Sequence, residues 1–90
     1  MPKVLEDLQN NLFVYIYTND HTPAHVQIFK GRKNDRNQKE IKINIGSEEK
    51  RPYLVSANKE MKDRDILDAI RLVAMNQEML LSKWQEIHGL

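Results

Sequence analysis

Asn19-Asp20-His21-Thr22-Pro23-Ala24-His25 gathers two of the chain's three histidines, a carboxylate and a proline into seven residues. Side chains of these types at this spacing can do two kinds of chemistry. His21 and His25 have three residues between them, which puts two imidazoles on one face of a helix or on the two sides of a tight turn, and Pro23 favours the turn. With Asp20 they offer three ligands to Zn²⁺ or a similar metal and leave one position open for water, the outline of a metal-dependent hydrolase or nuclease. Alternatively, Asp20 orients His21 as a general base near neutral pH. Both outlines are incomplete. No second carboxylate is tied to the motif by spacing, Gln27 is a poor ligand, and no candidate nucleophile accompanies the pair. The expectation is therefore no metal and no cofactor, with the balance against an enzyme. The plain alternative makes Asp20 a turn residue, leaves His21 exposed, lets Pro23 start a strand and seats His25 within it, half-buried and hydrogen-bonded to a neighbour.

The elements on either side must hold this turn. Leu12-Phe13-Val14-Tyr15-Ile16-Tyr17 is a β-branched, aromatic and aliphatic run, which suits a strand covered on both faces. His25-Val26-Gln27-Ile28-Phe29-Lys30 alternates, with Val26 and Ile28 on one face. Glu40-Ile41-Lys42-Ile43-Asn44-Ile45 alternates most cleanly, its isoleucines inward, and Gly46-Ser47 ends it. Pro52-Tyr53-Leu54-Val55-Ser56 adds a short edge piece, and residues 3–10 read as a weak helical turn or a lead-in. From about Asp63 to His88 the period becomes helical. Ile66, Ile70, Val73, Gln77, Leu80, Trp84 and Ile87 recur at steps of three and four, Leu67, Ala74 and Leu81 widen that stripe, and Gly89 stops the helix. The Asn76-Gln77 pair is a place for a bend. Trp84, Met61, Met75 and Met79 read as core, and His88 as incidental. The fold class expected is α+β, a three- to four-stranded antiparallel sheet packed by one long C-terminal amphipathic helix.

Size and composition narrow the possibilities. Ninety residues, 40% hydrophobic and 30% charged, suit a single domain over residues 1–90. A chain of this length buries roughly 60 to 65% of its unfolded surface, so its core is small and a partner, a homodimer or a small cognate protein, is expected. The absence of cysteine excludes disulfides and thiolate chemistry. No apolar run approaches the roughly 18 residues of a membrane span, and Met1-Pro2-Lys3-Val4-Leu5-Glu6-Asp7 lacks a secretory h-region, so a cytoplasmic protein without a membrane partner is expected. Net charge is +1 but unevenly placed: residues 30–39 carry Lys30, Arg32, Lys33, Arg36 and Lys39 against Asp35 alone. Such a loop can touch nucleic-acid phosphates, or be a solvated connection whose Gly31, Asn34 and Asn37 serve turns.

A second functional surface follows from parity. If a helix covers the face bearing Val26, Ile28 and the isoleucines, the other bears His25, Gln27, Phe29, Lys42 and Asn44, joined by Phe13, Tyr15 and Tyr17 if that parity faces the same way. Mixed aromatic and polar surfaces of this kind dock proteins or stack exposed bases. The expected interface comprises Tyr15, Tyr17, His21, Pro23, His25 and Phe29.

A strand like Leu12 to Tyr17, the run Asp20-His21-Thr22-Pro23-Ala24-His25-Val26-Gln27, and a last helix with Leu80-Leu81-Ser82-Lys83-Trp84 together resemble the small bacterial family called domain of unknown function 4160. That family reads Asp-His-x-Pro-Pro-His-Phe-His-Val at the turn and Leu-Leu-x-x-Trp in the last helix. Asp20, His21, Pro23 and His25 match, whereas Ala24, Val26 and Gln27 stand where the pattern has proline, phenylalanine and its last histidine. The resemblance implies that a three-histidine metal site is lost in this chain. It also implies a neighbouring small partner protein in a toxin–antitoxin-like pair.

Overall fold

The computed structural model describes residues 3–19, 21–31 and 39–89. Five strands run in chain order β1 (Lys3–Asp7), β2 (Leu12–Tyr15), β3 (His25–Lys30), β4 (Lys39–Asn44) and β5 (Tyr53–Ala57), followed by helices α1 (Asp63–Met75) and α2 (Gln77–His88). Each strand pairs antiparallel with the next, so the sheet is a meander in sequence order. This α+β architecture agrees with the sequence in class and corrects it in count: five strands replace three to four, and two helices replace one.

The extra strand is β1. Lys3-Val4-Leu5-Glu6-Asp7 is extended, not a helical turn, because the chain reverses sharply behind it. The Asp7 carboxylate accepts from the Asn10 backbone N–H at 3.3 Å and from the Asn10 amide at 2.8 Å, and Asn11 takes the left-handed φ of 57° that asparagine tolerates. That turn lays β1 against β2, with Asp7 opposite Leu12.

The core lies on one face of the meander. Leu12, Val14, Ile16, Val26, Ile28, Ile41, Ile43 and Ile45 are fully buried there. Ala69 and Val73 of α1 and Leu80 and Trp84 of α2 close over them, with Ile66 and Ile70 at the margin. Each aliphatic side chain buried in this way contributes about 1.5–3 kcal/mol. The helical stripe is narrower than its sequence suggests: Leu67 and Ala74 are exposed, and Met75 points to solvent rather than filling the core.

The predicted bend is a full break. Asn76 leaves helical geometry at φ −122° and ψ 19°, and its side-chain amide donates to the Leu72 carbonyl at 2.8 Å. Next to it, the Gln77 amide donates to the carbonyls of Ile45 at 2.8 Å and Lys50 at 2.9 Å. The start of α2 is thus tied to the β4–β5 connection, which Ser47 and Lys50 close with reciprocal backbone bonds.

Gly46 makes that junction possible. Its φ is +81°, and a Cβ there would collide with the Lys50 carbonyl oxygen and lie 2.9 Å from Gln77 Nε2. Gly31 also has positive φ, but its nearest neighbour would be Asn11 Nδ2 at 3.8 Å. Gly46→Ala is therefore expected to cost about 2–4 kcal/mol, combining left-handed strain with the collision, against about 1 kcal/mol for Gly31→Ala. Urea unfolding of the two variants side by side measures the difference, and equal losses would refute the junction's tightness.

Candidate functional site

The turn between β2 and β3 is held at its far end. Ile45 N–H donates to the Ala24 carbonyl at 3.0 Å, His21, Thr22 and Pro23 are exposed, and the Thr22–Pro23 peptide is cis. Asp20 lies outside the described residues. His25 opens β3 and is only 8% exposed; its Nδ1–H donates to the Pro23 carbonyl at 3.0 Å. The imidazole therefore clasps the turn that precedes it.

On its other side His25 meets α2. Its ring centroid is 5.4 Å from the Trp84 indole, and Trp84 in turn stacks on His88 at 3.9 Å with the planes 25° apart. His88 Nδ1–H also donates to the Trp84 carbonyl at 2.9 Å, so this histidine, incidental by sequence, is the outer member of a three-ring cluster in which His25 is tilted 50° to the indole. The turn histidine and the helix tryptophan, 59 positions apart, are one packed unit.

Across the sheet, His25 is opposite Asn44, and Asn44 is opposite Tyr53. The Asn44 side-chain amide donates to the Tyr53 hydroxyl. Beside this row lies an open groove of about 550 Å³, walled by His21, Pro23 and His25 on one side and by Lys42, Tyr53 and Val55 on the other. The aromatic surface anticipated from parity lies on the same sheet face, with Tyr15 opposite Gln27 and Gln27 opposite the groove residue Lys42. Tyr15 stacks with Tyr17 at 6.1 Å and meets Phe29 edge-on at 5.5 Å, while the Lys3 ammonium sits 5.8 Å over the Phe13 ring. Tyr15, Tyr17 and Phe29 are half-buried, and Phe13 is nearly covered. All of them lie on the face opposite the core.

The six residues expected to form an interface thus fall into two adjoining groups, His21, Pro23 and His25 at the groove and Tyr15, Tyr17 and Phe29 in the ring strip. Tyr53 and Val55 were missed as groove residues, because the Pro52–Ser56 segment gave no clear parity; the structure shifts it to Tyr53–Ala57 and makes it a strand with a register shift opposite Lys42/Ile43. Lys30 does not project freely with the basic loop. Its ammonium bonds the Asn10 carbonyl at 2.7 Å and pairs with Asp65 of α1 at 3.2 Å, on the core side of the sheet. Arg32, Lys33 and Arg36 lie outside the described residues. Among the described residues no three histidine, aspartate or glutamate side chains gather as they would around a metal ion. No described helix is long and apolar enough to cross a membrane.

A five-stranded meander closed by two C-terminal helices, with a His-Pro turn packed against the second helix through His25 and Trp84, defines a small α+β fold class. The chain belongs to the family described as Domain of unknown function (DUF4160), whose model matches residues 11–85. That span contains both the turn and the tryptophan that meets it. No curated protein and no solved structure matches the chain.

The two turn histidines have unlike surroundings and unlike expected phenotypes. His25→Ala removes the clasp on Pro23 and one member of the ring cluster, and should cost about 1–3 kcal/mol. It should also move the Trp84 indole N–H resonance. His21→Ala, at an exposed position, should stay within about 0.5 kcal/mol of the parent. Chemical denaturation and a proton–nitrogen correlation spectrum of each variant check both statements.

Proposed function

We propose that this protein is an interaction module that docks a small cognate protein on the sheet face turned away from its core, as one member of a toxin–antitoxin-like pair. The observation that carries the reading is that the ring strip of Tyr15, Tyr17 and Phe29 lies on the sheet face that also borders the groove of His21, Pro23 and His25, Tyr15 being opposite Gln27 and Gln27 opposite the groove residue Lys42. Small-molecule sites are concave clefts or cavities in which a few polar groups converge on the ligand. This surface is instead broad, open and aromatic, and rigid rings of this kind supply most of the energy at protein interfaces. Tyr17 and Phe29 are the anchors, and His21 places polar contacts at the rim.

Purification from the native host at low salt, followed by identification of whatever remains bound, tests this reading. A stoichiometric small protein that survives high salt supports it. Tyr17→Ala should then weaken the complex at least about tenfold, about 1.4 kcal/mol, measured where the variant remains folded. Unchanged affinity in that variant would refute the assignment of the face.

A second reading, nucleic-acid binding, draws on the same strip, since half-buried rings on a sheet face are also what single-stranded bases stack upon, and Arg32, Lys33 and Arg36 would supply phosphate contacts. Salt separates the two. Phosphate-driven binding falls steeply with ionic strength, and reversing the charge of Arg32 and Lys33 would flatten that slope.

A further inference from the structure

We infer that the groove beside the His-Pro turn binds carboxylates, and that it takes an extended acidic segment of the partner, whose glutamate or aspartate side chains meet Lys42 and Lys50. This rests on the reading above, that the sheet face docks a protein, and names the part of that protein the groove accepts. The groove does not end at Tyr53. A second hollow of about 270 Å³ adjoins it, and the two share Pro23, Asn44 and Tyr53. Lys42 lines the first and Lys50 the second, so one trough has a lysine in each half.

Charges around this trough are sorted by sign. Among the described residues that line either half, none is aspartate or glutamate. Lys3, Lys30 and Lys83 each pair with a carboxylate, at 3.0, 3.2 and 3.6 Å, whereas Lys42 and Lys50 form no ion pair among the described residues. The acidic pair of the β4–β5 connection, Glu48 and Glu49, lines a different hollow, against Ile70 and Ala74 of α1. Glu40 shares the parity of Lys42 on β4 but stands opposite Phe29 and lines neither half. Pro23, Leu54 and Val55 wall the first half with apolar surface. A cleft lined by one sign of charge between low-dielectric walls concentrates ions of the other sign.

Neutral donors complete the site. The Asn44 amide donates to the Tyr53 hydroxyl, so the phenol oxygen accepts there and its own proton is left to donate to a ligand. Asn44 is buried and Tyr53 exposed, so a fixed amide holds this hydroxyl in the part of the trough common to both halves. His21, exposed at the rim, adds an imidazole N–H. Hydrogen bonds from such donors to an ionised carboxylate are roughly twice as strong as those between neutral groups. A nucleic-acid backbone carries a charge at every nucleotide and is matched by clustered lysine and arginine. The trough instead sets a single lysine in each half beside proline and aliphatic surface. A peptide that separates its carboxylates with apolar side chains matches both the sparse charge and the walls.

Titration of the isotope-labelled whole chain with a capped peptide alternating glutamate and leucine tests this, with the glutamine counterpart of that peptide beside it. The amide resonances of Lys42, Asn44, Lys50 and Tyr53 should move with the glutamate peptide, and the glutamine peptide should bind at least about tenfold more weakly. Lys42→Gln and Lys50→Gln should each weaken binding of the glutamate peptide at least about threefold, and Lys42→Arg should retain it. Lys59→Gln, outside the trough, should change nothing, and the dispersion of each spectrum reports whether the variant is folded. Equal affinity for the two peptides, no movement at the trough, or indifference to both lysine substitutions would overturn the inference. So would the same resonances answering a uridine oligonucleotide in preference to the peptide, or protein concentration alone, since the occupant would then be nucleic acid or a second copy. A native complex that Tyr17→Ala still weakens, beside a trough that rejects the glutamate peptide, would sink the acidic segment and leave the docking face standing.

Discussion

Two hydrogen bonds from the Gln77 side-chain amide, to the carbonyls of Ile45 and Lys50, are the constraint on which the rest of the architecture depends. They fix where the C-terminal helical segment must stop following the direction of α1. Asn76 makes the stop by leaving helical geometry and bonding back to Leu72. Relaunched from that anchor, α2 carries Trp84 two turns on to the end of the sheet, where the indole meets His25. His25 in turn holds Pro23, and the turn it holds is one wall of the groove. The groove is therefore built from a helix break that lies well outside it.

Where burial is decided by neighbours one strand away, the sequence was readable. The isoleucines of β4 and the alternation of β3 each record a choice between two faces, which fixes the face of Phe29; that of Tyr15 and Phe13 stayed open in the sequence, because Leu12 to Tyr17 is apolar on both parities, and the pairing of β2 with β3 decides it. β1 was illegible for the opposite reason. It has one neighbour, its five residues bury nothing completely, and three of them are charged, so it carries the composition of a lead-in. Its existence is recorded in the turn behind it, where Asp7, Asn10 and Asn11 do the work.

The helix break was partly recorded. The apolar period runs in step from Ile66 through Trp84 to Ile87, so hydrophobic patterning alone reports one helix. The discordant residue is Gln77, a polar side chain in the middle of the apolar stripe. An amide at such a position must find partners, and the carbonyls it finds belong to the β4–β5 connection. The His25–Trp84 contact could not be read at all, because it depends on the direction α2 takes after the break. In this chain the turn and the Leu80–Trp84 segment are thus joined by a packing contact between His25 and Trp84.

The order of the elements along the chain has a consequence for biosynthesis. All five strands precede both helices, and each strand pairs with the one before it, so a ribosome delivers a meander able to assemble strand by strand as it emerges. Its isoleucine-rich face stays wet until residues 63–88 have been made, because the covering layer comes last. During that interval the nascent sheet shows water or a chaperone the surface that the finished molecule hides most completely. Docking of residues 63–88, more than formation of the sheet, is the step that covers that face.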